Sequence, residues 1–138
     1  YESSSMSYQM KSAYVYLDTV IRQKENKYPD CEIILIQNIP ENISINSKDM
    51  VMVLTLLLDE ICPNILEKQL ELKIQWNGNE LSIRARGTVK NPQAVLQSGS
   101  FNYDFFQNIV SKYEGDLQIH HSENFECLIL LFASKSTV

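Results

Sequence analysis

Leu70-Glu71-Leu72-Lys73-Ile74-Gln75-Trp76-Asn77-Gly78-Asn79-Glu80-Leu81-Ser82-Ile83-Arg84-Ala85-Arg86 is the stretch whose reading decides the fold. Leu70, Leu72, Ile74 and Trp76 alternate with Glu71, Lys73 and Gln75, and Leu81, Ile83 and Ala85 alternate with Ser82, Arg84 and Arg86. Successive side chains of a strand point to opposite faces, so each run carries one apolar and one polar face. Asn77-Gly78 between them offers tight-turn chemistry. The pattern predicts a β-hairpin laid over a core.

Upstream of the hairpin the apolar period changes from two to that of a helix. Leu54, Leu57, Leu58, Ile61 and Ile65 follow i, i+3, i+4, i+7, i+11 and share one face, leaving Thr55, Asp59 and Glu60 on or near another. Asn46 or Ser47 can cap this helix, which is expected to begin near Lys48 with Asp49 at its positive end. Pro63 removes a backbone donor and ends or kinks it. Before it, Glu32 to Gln37 is a short β-branched run, read as a buried strand, and Ile43 to Ile45 adds a candidate edge strand. Met10 to Lys27, with Ala13, Leu17, Val20 and Ile21 at helical spacing, reads as an amphipathic helix stopped by Pro29 and Asp30.

Downstream, Gly87 to Ser100 holds Pro92 and two glycines and reads as a long loop, with a helical turn available at Gln93 to Gln97. Phe105, Phe106, Ile109, Val110 and Tyr113 form a third helical stripe, stopped by Gly115. Leu117, Ile119 and His121 alternate, Ser122-Glu123-Asn124 turns, and Glu126 to Phe132 returns as an apolar strand. The order is helix, strand, helix, hairpin, loop, helix, hairpin. It predicts an α+β, two-layer α/β sandwich: a mixed, mostly antiparallel sheet with about three helices on one face.

A chain of 138 residues has room for one core that folds without disulfides or a structural metal. Its net charge of -5 argues against nucleic acid as a partner, because neutralising phosphates takes a clustered Lys/Arg surface. Cys31, Cys62 and Cys127 are odd in number and share no short spacing, which fits reduced thiols and a cytoplasmic setting. Cys62 and Cys127 read as small core residues. The longest apolar run, Met50 to Leu58, is too short to span a membrane. Tyr1 to Ser5 looks like a domain junction, so the full protein can be larger and membrane-anchored.

The element order, with a long loop between a central hairpin and a last helix and hairpin, resembles the GHKL (Bergerat-fold) ATPase domain shared by histidine kinases, gyrase and MutL. Val53 to Ile61 looks like the family's N-box helix, notably the Leu-Leu-Asp-Asn-Ala version of peptide-pheromone sensor kinases; Glu60 stands where that motif has its magnesium-binding Asn. Phe105 to Gly115 resembles the helix after the ATP lid, and Asp116 to His121 with Glu126 to Phe132 the closing hairpin. The resemblance implies residues 1–27 as the end of a dimerisation and phosphotransfer region and residues 28–138 as the ATPase-like domain.

The same comparison marks departures. The family binds adenine through an Asp in Asp-x-Gly-x-Gly after the central hairpin, where this chain has Ile83-Arg84-Ala85-Arg86-Gly87-Thr88. The lid's Gly-x-Gly aligns with Ser100-Phe101-Asn102, leaving Gly99 as the nearby glycine. Pro63 falls where the N-box often supplies a basic phosphate contact. A phosphoacceptor His is missing, the histidines being His120 and His121 in the last hairpin.

The resemblance thus implies a two-component sensor kinase domain with Mg-ATP binding weak or lost. Asp59, Glu60, Gly99 and Asn102 would contact nucleotide if binding were retained, Glu60 would hold Mg²⁺ through carboxylate oxygen, and no residue is assigned a catalytic role. If active, such a domain would orient Mg-ATP for attack by a histidine elsewhere in the full chain. A homodimer through upstream helices and a response regulator or other signalling protein would be the partners.

Two other functions stand beside it: a pseudokinase-like dimerisation or docking module, and a phosphotransferase of the same fold. Plainer readings also stand: Asp59-Glu60 as solvated helix-end acids, Arg84 and Arg86 as a solvated sheet face, His120 and His121 without a catalytic partner. Phe101, Tyr103, Phe105 and Phe106 would fill an emptied nucleotide pocket, form a docking surface, or pack in the core.

Overall fold

The computed structural model describes residues 13–40, 43 and 45–132, with side chains from Leu17 onward. Three α-helices occur among the described residues: α1 (Ala13–Lys27), α2 (Ser47–Ile61) and α3 (Phe101–Lys112). The strands are β1 (Glu32–Asn38), β2 (Gln69–Trp76), β3 (Glu80–Thr88), β4 (Asp116–His120) and β5 (Asn124–Phe132), in the sheet order β1-β2-β3-β5-β4. β1 runs parallel to β2 and every other pair is antiparallel. The expected start of the first helix at Met10 lies outside the described residues.

Register explains why this sheet has one dry face. Leu35 pairs with Leu72, Leu72 with Ala85, Ala85 with Cys127 and Cys127 with Ile119, so an apolar row crosses all five strands. A second row joins Ile74, Ile83, Ile129 and Leu117. These rows merge with Leu17, Val20 and Ile21 of α1, Val53, Leu54, Leu57, Leu58 and Ile61 of α2, and Phe106, Ile109 and Val110 of α3 into a single core. The alternating polar residues stay on the opposite, open face, where Arg84 meets Glu126 at 3.2 Å and Arg86 meets Glu71 at 3.6 Å. The architecture is the expected α+β sandwich.

Several boundaries differ from the sequence-based expectation. α2 is capped by Asn46, whose side chain accepts from the amides of Lys48 and Asp49. Its continuation is not helical as far as Ile65: Pro63 converts Cys62–Asn64 to a single 3₁₀ turn, and Ile65 forms an isolated bridge with Val89 instead. Ile43 and Ile45 are buried outside any strand, and Ser44 lies outside the described residues. Gly87 and Thr88 belong to β3 because Phe125 and Asn124 pair with them, which shortens the loop; its helical turn is Pro92–Ala94. His121 lies one residue past β4.

Gly115 does not terminate α3 by a left-handed conformation. That conformation is taken by Glu114, with φ 53°. The Gly115 amide donates to Val110 O at 2.8 Å and the Glu114 amide to Ser111 O at 3.0 Å, the paired bonds of a Schellman ending. Gly115 is required for a different reason: a Cβ there would overlap the backbone carbonyl of Leu130.

Candidate functional site

The last turn of α2 carries Asp59 and Glu60, whose side chains serve two different clusters. Asp59 faces α1, where its Oδ1 accepts from Lys24 Nζ at 2.9 Å, Tyr28 Oη at 2.9 Å and Lys27 Nζ at 3.5 Å. Burial by itself would raise the Asp59 carboxyl. The hydrogen bonds from Lys24 and Tyr28 and the charges of Lys24 and Lys27 outweigh it and hold the group below the usual carboxylate range. Lys24, almost fully buried, is neutralised by the same contact.

Glu60 faces the connection between β3 and α3. Its Oε1 accepts from the Leu96 amide at 2.7 Å and its Oε2 from Asn102 Nδ2 at 2.9 Å. Two of the four expected nucleotide-site residues, Glu60 and Asn102, are therefore brought together. Gly99 lies in the same connection, at φ 89°, a conformation that favours glycine, with open space where a Cβ would stand. Asp59 belongs to the α1 cluster.

Segment 89–100 is bonded to the body from Val89 to Leu96. The Val89 amide donates to Glu123 O at 3.1 Å and the Lys90 amide to Asn64 O at 2.8 Å. Gln93 Nε2 donates to His121 O at 3.2 Å, and His121 Nε2 lies 3.0 Å from Val95 O. Val95 and Leu96 are fully buried. Leu96 takes φ 49°, uncommon for a branched side chain, and this directs its amide at Glu60. Ser100 then caps α3 through the Tyr103 amide, so Ser100-Phe101-Asn102 is a helix start rather than a glycine loop.

The aromatic residues divide. Phe106 is wholly buried and Phe105 packs against the core, whereas Phe101 is 79% exposed. Tyr103 Oη accepts from Gln107 Nε2 one turn later. At the other end of α3, Tyr113 Oη accepts from the Asn46 amide and donates to Asp49, which also receives Lys112 Nζ at 2.8 Å. Burial, then the hydrogen bond to Asp49, pushes the Tyr113 phenol well up.

The donors beside Glu60 are engaged within the protein. The Leu96 amide and Asn102 Nδ2, groups of the kind that can bind a phosphate, both serve the Glu60 carboxylate. β3 carries Arg84 and Arg86, both turned to the open face in ion pairs. Among the described residues no three His, Cys, Asp or Glu side chains gather as a metal site.

The Leu96 amide, His121 against Val95, and Lys24 and Tyr28 against Asp59 were not readable from sequence. The first is a backbone group, and the others join residues 26 to 35 positions apart with no intervening motif. The nearest sequence signal was the Glu at the N-box Asn position.

No family model matches the sequence, and no curated protein matches it. Its backbone, however, matches solved histidine kinase structures. The mycobacterial sensor histidine kinase MprB superposes with a TM-score of 0.69 at 12% identity, over 86% of this chain and 93% of that one. The catalytic domain of histidine kinase ThkA gives 0.65 at 7% identity, over 85% and 93%. The Erythrobacter litoralis EL346 blue-light activated histidine kinase gives 0.68 at 8% identity, over 88% of this chain and 45% of that one. The chain thus has the fold of histidine kinase catalytic, ATPase-type domains. No described helix is long and apolar enough to cross a membrane.

Proposed function

We propose that this chain is the catalytic-type domain of a two-component sensor histidine kinase whose nucleotide site is filled from within, so that the domain works as a dimerisation or docking module. The observation that carries this reading is Glu60. A carboxylate at the N-box position takes two lid donors, the Leu96 amide and Asn102, that a nucleotide phosphate would otherwise use. The anion that orders the lid is then part of the protein, and Mg-ATP would have to displace a covalently attached competitor. The absence of an acid between Ile83 and Thr88 removes the adenine contact as well.

On this reading α1, joined to α2 through Lys24, Tyr28 and Asp59, transmits the position of dimerising helices upstream to the sandwich. A response regulator or another signalling protein is the partner, in the cytoplasm. Calorimetric titration of Mg-ATP tests it: no heat of binding is expected below millimolar nucleotide. A micromolar Kd for the unaltered chain would overturn it and restore the active-kinase reading. Glu60→Asn frees both lid donors and is expected to bind weakly at best, since the adenine acid is still missing.

A further inference from the structure

Cys31 and Cys62 are 31 positions apart in sequence, yet their sulfurs share a hydrogen bond at 3.3 Å. Both are buried, at 2% and 3% exposure, and each sits at the end of an element. Cys31 links the exposed Pro29-Asp30 turn to the first residue of β1, and Cys62 opens the 3₁₀ turn after α2. A disulfide requires the sulfurs to approach to about 2.05 Å, a closure of little over an ångström that two element ends can make. Cys127 has no such freedom, being locked in β5 between Ala85 and Ile119.

We propose that Cys31 and Cys62 form a redox-modification site, a dithiol that a peroxide oxidises to an intramolecular disulfide. The two sulfurs are chemically unequal. The hydrogen bond shared with Cys62 draws the Cys31 thiol below the ordinary cysteine range, against the opposing effects of burial and of Glu25. The same bond and burial push Cys62 up. Burial pushes Cys127 up to about 12. Cys31, adjoining the exposed Pro29-Asp30 turn, is the sulfur that a peroxide reaches first, and Cys62, at the end of α2, is the resolving thiol.

In the first step the Cys31 thiolate attacks a peroxide oxygen, the O–O bond breaks, and the departing hydroxide takes a proton to become water. In the second, the Cys62 sulfur attacks the Cys31 sulfenic sulfur, the S–O bond breaks, and the oxygen leaves as water with the Cys62 proton. Two thiols and hydrogen peroxide give one disulfide and two waters; the sulfur pair loses two electrons and the peroxide gains them. Access needs only local opening at the exposed Pro29-Asp30 turn. The bond would tether the end of α2, two residues past Glu60, to the start of β1.

This site does not depend on the nucleotide reading, and its test does not involve nucleotide. The 138-residue chain, native and reduced, is exposed to graded hydrogen peroxide, alkylated and mapped by mass spectrometry. A loss of two hydrogen masses, a linked Cys31–Cys62 peptide and an alkylated Cys127 are expected, all reversed by dithiothreitol. Three thiols still alkylated at doses that oxidise glutathione would overturn the proposal. So would a link through Cys127, a link between molecules, or over-oxidation of one cysteine without a link. In Cys62→Ala, Cys31 is expected to stop at a sulfenic acid that dimedone traps; should that variant not fold, the map of the unaltered chain decides alone.

Discussion

Consecutive residues leave an α-helix about 100° apart, and this angle separates Asp59 from Glu60. Adjacent acids at a helix end suggested one shared site in the sequence. In the fold Asp59 answers α1 and Glu60 answers segment 89–100. The sequence contains the acids but not the partners that divide them: Lys24 lies 35 positions from Asp59 and the Leu96 amide 36 from Glu60. Asp59→Asn leaves the buried Lys24 ammonium without its counter-charge and is expected to cost about 2 kcal/mol near neutral pH. The folded-state carboxyl is depressed, so its contribution is complete above the unfolded value of 3.8 and is lost as pH falls through the lower folded value. Urea denaturation of both proteins from about pH 6 down to about pH 3 checks this: the gap between them should narrow only below about pH 4. A gap that stays constant to the lowest pH would show that the ion pair is not its source.

At the scale of the element, periodicity was enough to place the three described helices and the central hairpin, because a buried stripe or a dry strand face is a local pattern. Helix ends were less legible, since they depend on backbone approach. Gly115 looked like the left-handed stop of α3, yet Glu114 takes that conformation, and Gly115 is there to let the chain pass Leu130. The two glycine requirements can be separated by substitution. Glu114→Gly relieves an L-residue from positive φ and is expected to stabilise the chain by about 0.5–1 kcal/mol. Gly115→Ala drives a methyl into backbone and is expected to cost about 3 kcal/mol or more. Thermal unfolding should therefore move the midpoint in opposite directions for neighbouring positions; equal and small effects would mean that the Schellman ending is not fixed in solution.

Across the whole molecule, the order of elements indicated the sandwich, but strand neighbours and the fate of segment 89–100 followed from contacts distant in sequence. Its glycines and Pro92 suggested a long loop; the fold instead anchors it through Val89, Lys90, Gln93, Val95 and Leu96 and closes it on Glu60. If Glu60 replaces nucleotide as the ordering anion, lid order must depend on that carboxylate and be indifferent to Mg-ATP. Amide hydrogen exchange resolves both. In the unaltered chain the Leu96 amide is expected to be protected, with no change on adding millimolar Mg-ATP. Glu60→Ala leaves this amide and Asn102 without their acceptor, a loss of about 1–3 kcal/mol. Exchange at Leu96 should then accelerate by about 5- to 150-fold if opening is local, while Ile83 and Ile129 at the sheet centre slow or hasten only with global stability. Unchanged protection at Leu96 in Glu60→Ala would locate lid order in the His121 and Val89 contacts instead. Protection that appears only with Mg-ATP would return the site to nucleotide.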